Sequence, residues 1–165
     1  MTNFSDNAPI QIARLRLLTR DIAALRRFYA EVLGLPVVRE SDISFAVMSA
    51  GTEVEFARSS VGAPVYHFAF NIPENQIEVA LDWTRVRVPL ISRDGSEIVF
   101  FESWNAHSIY FFDPAGNIVE FIARHTLPNA SGEPFGPGSI REASEIGLAV
   151  PDVAAAAAQI ERDLG

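Results

Sequence analysis

Glu120 is a carboxylate set inside the apolar run Ile118-Val-Glu-Phe-Ile122. A lone carboxylate buried among such residues is costly, so Glu120 must open onto a solvated cleft or have a partner. His67, in Tyr66-His-Phe-Ala-Phe-Asn-Ile72, is an imidazole in a similar apolar stretch. Together they could be two ligands of a divalent metal, or a base and its orienting group. The structural alternative is a satisfied core histidine and a carboxylate in an ion pair. Arg14 stands between apolar neighbours near the start of the chain. A buried guanidinium needs an anion, which Glu120 or a substrate carboxylate would supply. An Arg at a strand edge could instead reach solvent.

The elements that must position these groups can be read from the same residues. Residues 107–125 read as a β-hairpin whose strands are rich in Ile, Val, Phe and Tyr. Asp113-Pro114-Ala115-Gly116 has the chemistry of a type I turn followed by a left-handed glycine, which predicts a three-residue loop with a bulge. In that register Asp113 pairs with Asn117, Tyr110 faces Glu120 and Ser108 faces Ile122, all on one side. Ser108 and Tyr110 could therefore donate hydrogen bonds to a ligand, although ordinary sheet packing would also use them. His107 lies at the mouth of the hairpin beside Trp104 and Asn105. It is a further candidate for substrate contact, but alternation turns it away from Glu120 and favours a surface histidine.

Residues 1–9 read as a loose leader. A strand over 10–19 is followed by a helix capped by Asp21, with Ile22, Leu25, Phe28, Tyr29, Val32 and Leu33 at helical spacing and Gly34 as its stop. Strands are predicted at 37–40, 43–49 and 53–58. The order then restarts: a strand over 66–72, a helix opened by Pro73-Glu74 and running through Trp83, and strands at 88–92 and 98–102 before the hairpin. Strand, helix and three strands thus occur twice, with His67 falling where Arg14 falls, 53 positions earlier. Residues 126–142, with Pro128, Pro134, Pro137, Gly132, Gly136 and Gly138, have a linker composition.

Residues 14–34 then align without gaps on 145–165: Asp21 with Asp152, Ala23-Ala24 with Ala154-Ala155, and Leu33-Gly34 with Leu164-Gly165. Residues 143–165 thus read as the strand and helix that begin a third, incomplete unit. Its strand is expected to dock on a sheet edge, in this chain or in a second copy.

Composition narrows the functions. The 165 residues carry 48% hydrophobic residues, a net charge of −8, a pI near 4.8 and no cysteine. Disulfides, thiolate ligands and a cysteine nucleophile are excluded. A nucleic-acid partner does not suit this charge. Without a signal peptide or an apolar run long enough to span a bilayer, the expectation is a cytoplasmic protein with no membrane partner.

The segments Arg14-Leu-Arg-Leu-Leu-Thr-Arg-Asp21, Phe28-Tyr29, Leu33-Gly34-Leu35, His67-Phe-Ala-Phe70 and Tyr110-Phe-Phe-Asp-Pro-Ala-Gly-Asn-Ile-Val-Glu120 resemble the vicinal oxygen chelate superfamily. That superfamily includes glyoxalase I, fosfomycin- and bleomycin-resistance proteins and extradiol dioxygenases. The resemblance covers 10–125. It implies an α+β fold of paired βαβββ units, forming a curled, cup-shaped mixed sheet with helices outside, and a homodimer or tandem arrangement.

Catalytic members hold a divalent metal with a His on the first strand, a His opening the fifth and a Glu on the last. Here the resemblance gives His67 and Glu120 the second and third positions. Arg14 occupies the first, and a guanidinium cannot ligate. Glu145 holds the matching position of the third unit. Ser108 and Tyr110 match ligand-lining positions of fosfomycin-resistance-like members.

Two functions follow from the resemblance. One is an enzyme, a metal-dependent lyase, isomerase or dioxygenase using Fe, Mn, Ni or Zn on a small oxygen-rich molecule in a cup lined by Arg14, His67, Tyr110 and Glu120. The other is a metal-free binding protein in which Arg14 and Glu120 pair or contact a polar ligand; for the cofactor itself, no metal is the preferred expectation. A third possibility is a role in dimer formation for the alanine-rich helix Val153–Gln159.

Overall fold

The computed structural model describes residues 11–147 and 150–164, so the leader, Ile10, Leu148 and Gly165 lie outside the described residues. The first unit runs β1 (Arg14–Thr19), α1 (Ile22–Arg27), β2 (Val37–Ser41), β3 (Ser44–Ser49) and β4 (Thr52–Arg58). The second runs β5 (His67–Ile72), α2 (Ile77–Arg85), β6 (Val99–Phe101), β7 (Ala106–Phe112) and β8 (Ile118–Arg124). The strand β9 (Ala143–Gly147) and the helix α3 (Val153–Leu164) follow.

The repeat is realised in three dimensions. The first sheet has the order β1-β4-β3-β2 and the second β6-β7-β8-β5-β9. In each unit the first strand lies parallel to the fourth, β1 on β4 and β5 on β8. The mixed α+β architecture expected from the sequence is the one observed. β9 docks on the β5 edge of the same chain, antiparallel. The helix cap is also repeated: Asp21 accepts from the Ala24 N–H at 2.8 Å, and Asp152 from the Ala155 N–H at 2.9 Å.

α1 continues through a π-helical turn, Phe28–Val32, which brings Phe28 and Tyr29 into the core. Gly34 ends it at φ +74°, and a Cβ there would lie 2.6 Å from Pro137 Cγ. One cluster of buried side chains joins the units, with Leu17, Phe45, Val54 and Phe56 from the first sheet and Phe68, Phe70, Phe111 and Phe121 from the second.

Two expectations are revised. The strand expected at 88–92 is reduced to a single bridge, Leu90 to Phe111. Pro89 removes the donor that a longer ladder would need. The segment read as a linker is packed rather than loose. Phe135 stacks edge-on against Trp83, Ile140 is buried, and the Ser49 hydroxyl donates to the carbonyls of Ile140 and Arg141.

The hairpin turn locks the units together. Asp113 Oδ1 accepts from the N–H groups of Ala115 and Asn117, and Oδ2 accepts from Asn117 Nδ2 at 2.8 Å and the Tyr29 hydroxyl at 2.9 Å. Tyr29 is fully buried, and its phenol titrates well above the ordinary range through burial and then the neighbouring Asp113. Tyr29→Phe removes one bond to a buried carboxylate and is expected to lower unfolding stability by about 1–3 kcal/mol. Denaturant titration checks this; a change within error would show that the turn does not depend on α1.

Candidate functional site

The hairpin has the register that its turn chemistry dictates. Gly116 takes φ +82°, its N–H donates to Asp113 O at 3.0 Å, and Asp113 N–H donates to Asn117 O at 3.0 Å. Tyr110 faces Glu120 and Ser108 faces Ile122. Because β5 lies parallel on the other side of β8, His67 aligns with Ile118 and Ala69 with Glu120. One face of the second sheet therefore carries Ser108, Tyr110, Glu120 and His67. The opposite face carries Phe68, Phe70, Ile109, Phe111, Val119 and Phe121 into the core.

At the centre of this polar face, His67 Nε2 lies 2.9 Å from Glu120 Oε2. Glu120 is 2% exposed, and its second oxygen, Oε1, has no hydrogen-bond partner; neither has the buried Ser108 hydroxyl. The hydrogen bond to Glu120 raises the His67 pKa above its ordinary value, desolvation opposes this, and the charges of Glu120 and Glu145 reinforce it. Tyr110 is held well above the usual phenol range, first by burial and then by the charge of Glu120.

β9 adds to the same face. Glu145 lies across Ala69 from Glu120 and forms an ion pair with Arg124, whose guanidinium also lies 5.7 Å from the Trp104 ring centre. The sequence had pointed to Glu145 through the repeat. Arg124 was missed, although it shares the strand parity of Glu120 and Ile122.

Arg14 is not brought to this face. It lies on the first sheet and bonds Glu55 Oε2 at 2.7 Å and Glu53 Oε1 at 3.1 Å. The expected Arg14–Glu120 pair is thus replaced by an Arg14–Glu55 pair, because the parallel neighbour of β1 is β4 of its own unit. In the repeat, Arg14 is equivalent to His67 and Glu55 to Glu120, so both sheets carry a base on the first strand and a buried glutamate on the fourth. The alternating Glu53 and Glu55 were the legible signal for this partner, since they match Arg14 and Arg16 in spacing.

His107 is also kept apart from Glu120. It pairs with Ala123, points to the opposite face, and contacts His125 at 2.7 Å, nitrogen to nitrogen. Burial and His125 lower its pKa. His125 had not been singled out.

The Glyoxalase/Bleomycin resistance protein/Dioxygenase superfamily matches residues 11–87 in sequence. This stretch of the chain is similar to that superfamily. Solved structures agree on the fold. An integron cassette protein from the mobile metagenome of the Halifax Harbour sewage outfall has a TM-score of 0.60 at 21% identity, over 68% of this chain and 97% of its own. A glyoxalase/bleomycin resistance protein/dioxygenase from Nocardioides has 0.55 at 21%, over 78% and 91%. A lactoylglutathione lyase from Agrobacterium tumefaciens has 0.56 at 20%, over 70% and 94%. No curated protein matches the chain in sequence. Among the described residues, no helix is long and apolar enough to cross a membrane.

The His67–Glu120 pair has a definite pH signature. A folded-state pKa above the unfolded value contributes stability that is fully present below the ordinary histidine pKa and is lost as pH rises through the raised one. NMR titration of the His67 ring is expected to give a midpoint above the ordinary value in the wild type and a lower one in Glu120→Gln. Equal midpoints would show that the pair does not control His67.

Proposed function

We propose that the second-sheet face around Glu120 binds a small oxygen-rich molecule, with His67 and Glu120 as the acid–base pair that meets it. The observation that carries this reading is the open valence of Glu120: a carboxylate 2% exposed, with one oxygen bonded to His67 and the other unpartnered. A buried acceptor without a donor is destabilising, and a ligand hydroxyl would satisfy it. The half-exposed His67, its pKa raised by the hydrogen bond to Glu120, would face the oxygens of the ligand. Ser108 and Tyr110, on the same face, would orient it by donating hydrogen bonds. The superfamily match over residues 11–87 supports a small-molecule site.

A second reading has a specific observation in its favour. Adjacent donors of a metal bound at about 2.1 Å and right angles lie about 3 Å apart. The His67–Glu120 separation of 2.9 Å matches that edge. Among the described residues, no group of three His, Cys, Asp or Glu side chains is already assembled around a metal position. A divalent ion held by His67 and Glu120 would therefore draw its third protein donor from Glu145, released from Arg124. Once bound, it would polarise vicinal oxygens of the ligand as a Lewis acid.

Two measurements separate these readings. Elemental analysis of protein purified without chelator, then loaded with Mn, Fe, Ni or Zn, is expected to give less than stoichiometric metal if the acid–base reading holds. Stoichiometric metal lost in both His67→Ala and Glu120→Gln would establish the second reading instead. In parallel, His67 ring resonances are followed while α-hydroxycarbonyl and α-hydroxycarboxylate probes are added. Shifts that saturate in the wild type and vanish in Glu120→Gln support a binding face. Unmoved resonances with every probe and every metal would overturn both readings.

A further inference from the structure

Arg141 is a cation without an anion in a chain that is rich in acid. The partly buried arginines are Arg26, Arg124 and Arg141. Arg26 pairs with Glu31 and Glu40, and Arg124 with Glu145. The Arg141 side chain has no hydrogen-bond or ion-pair partner among the described residues, and its Nε is buried without an acceptor. Glu142, its neighbour in sequence, is engaged elsewhere: its Oε1 accepts from Asn71 Nδ2 at 2.8 Å. A buried donor left without an acceptor is destabilising. A guanidinium offers a fixed fork of donors and no acceptor, so an oxyanion is the partner that suits it.

This side chain borders a cleft of about 270 Å³. Leu35, Pro36, Met48, Pro137 and Ile140 give the cleft apolar walls, and Arg141 is the one charged residue lining it. The segments that form it are tied together. Pro137 packs against Gly34, the Met48 N–H donates to Pro36 O at 3.0 Å, and the buried Ser49 hydroxyl donates to the carbonyls of Ile140 and Arg141. The Arg141 N–H donates to Asn71 O at 2.8 Å, so the second unit anchors it as well. His67, Ser108, Tyr110 and Glu120 do not line the cleft, which is therefore separate from the face around Glu120. Arg141 also borders a second cleft, of about 230 Å³, but Glu133 lines that one and would repel an anion.

We propose that the cleft of about 270 Å³ binds a small carboxylate with a short apolar body, the carboxylate on the Arg141 guanidinium and the body against Leu35, Met48 and Ile140. Pockets for drug-sized molecules run to roughly 300–1,000 Å³, so this one takes a smaller occupant. Apolar walls cannot replace the water that a bare inorganic anion gives up. An organic carboxylate has both parts that the cleft asks for. Its two oxygens match one edge of the guanidinium, and its apolar remainder gains by burial.

The probe is benzoate, titrated into the full chain at constant ionic strength while the Arg141 Nε–H and the Gly138 amide are followed by NMR. Both resonances are expected to move and saturate, with a Kd of about a millimolar or below. Benzamide has the same shape without the charge, and sulfate has charge without the apolar body. Each is expected to bind about tenfold more weakly, or worse. Arg141→Ala is expected to abolish the Gly138 shift, and Glu120→Gln to leave it unchanged. Gly138→Leu obstructs the cleft with Arg141 intact. A Cβ at Gly138 meets no atom within 4 Å and its φ is not left-handed, so this variant is expected to keep its circular dichroism and lose affinity about tenfold or more. No saturating shift, equal binding of benzamide or sulfate, loss of the shift in Glu120→Gln, or binding indifferent to folded Arg141→Ala and Gly138→Leu would each overturn the proposal. If Arg141→Ala does not fold, Gly138→Leu decides.

Discussion

The structure depends on keeping one buried carboxylate in register. Glu120 sits mid-strand with apolar neighbours on both sides and one carboxylate oxygen bonded to a histidine. A slip of one residue in β8 would turn it into the phenylalanine core and expose Phe121 in its place. The Asp113 turn prevents that slip by fixing Gly116 in the left-handed region and closing the bulge. Tyr29, reaching from the first unit, satisfies the same aspartate. The site on the second sheet is thus held in place by a side chain of the first.

Duplication explains the rest of the arrangement. Each unit places a base on its first strand against a glutamate on its fourth, Arg14 with Glu55 and His67 with Glu120. The two pairs share a geometry but differ in chemistry. The arginine pair is saturated by further charges, with Arg16 and Arg39 also near Glu55. The histidine pair leaves an acceptor open, and histidine titrates near neutrality where arginine does not. The first sheet is therefore electrostatically closed, and the second retains the capacity to bind. β9 extends that second face with Glu145 and Arg124.

Much of this was legible in the sequence because local rules determine it. Turn chemistry gave the hairpin register, strand parity gave the shared face of Ser108, Tyr110 and Glu120, and the Asp21 and Asp152 caps marked equivalent helices. The partner of Arg14 was not, because it depends on which strand lies beside β1, and a parallel pairing across a whole unit leaves no local mark. The packing of Phe135 and Ile140 was hidden for a related reason: proline and glycine content describes local backbone, not the surface that a segment meets. Pro89 did carry a local warning against a strand at 88–92, which the neighbouring apolar residues masked.

The central claim is that the open oxygen of Glu120 is a ligand position. A high-resolution crystal structure, grown with a mixture of small hydroxycarbonyl and hydroxycarboxylate compounds and divalent metals, tests it most directly. The account predicts an ordered non-protein group bonded to Glu120 Oε1 within reach of His67 and Tyr110. A protein donor filling that position, with the added molecules bound only elsewhere, would contradict it.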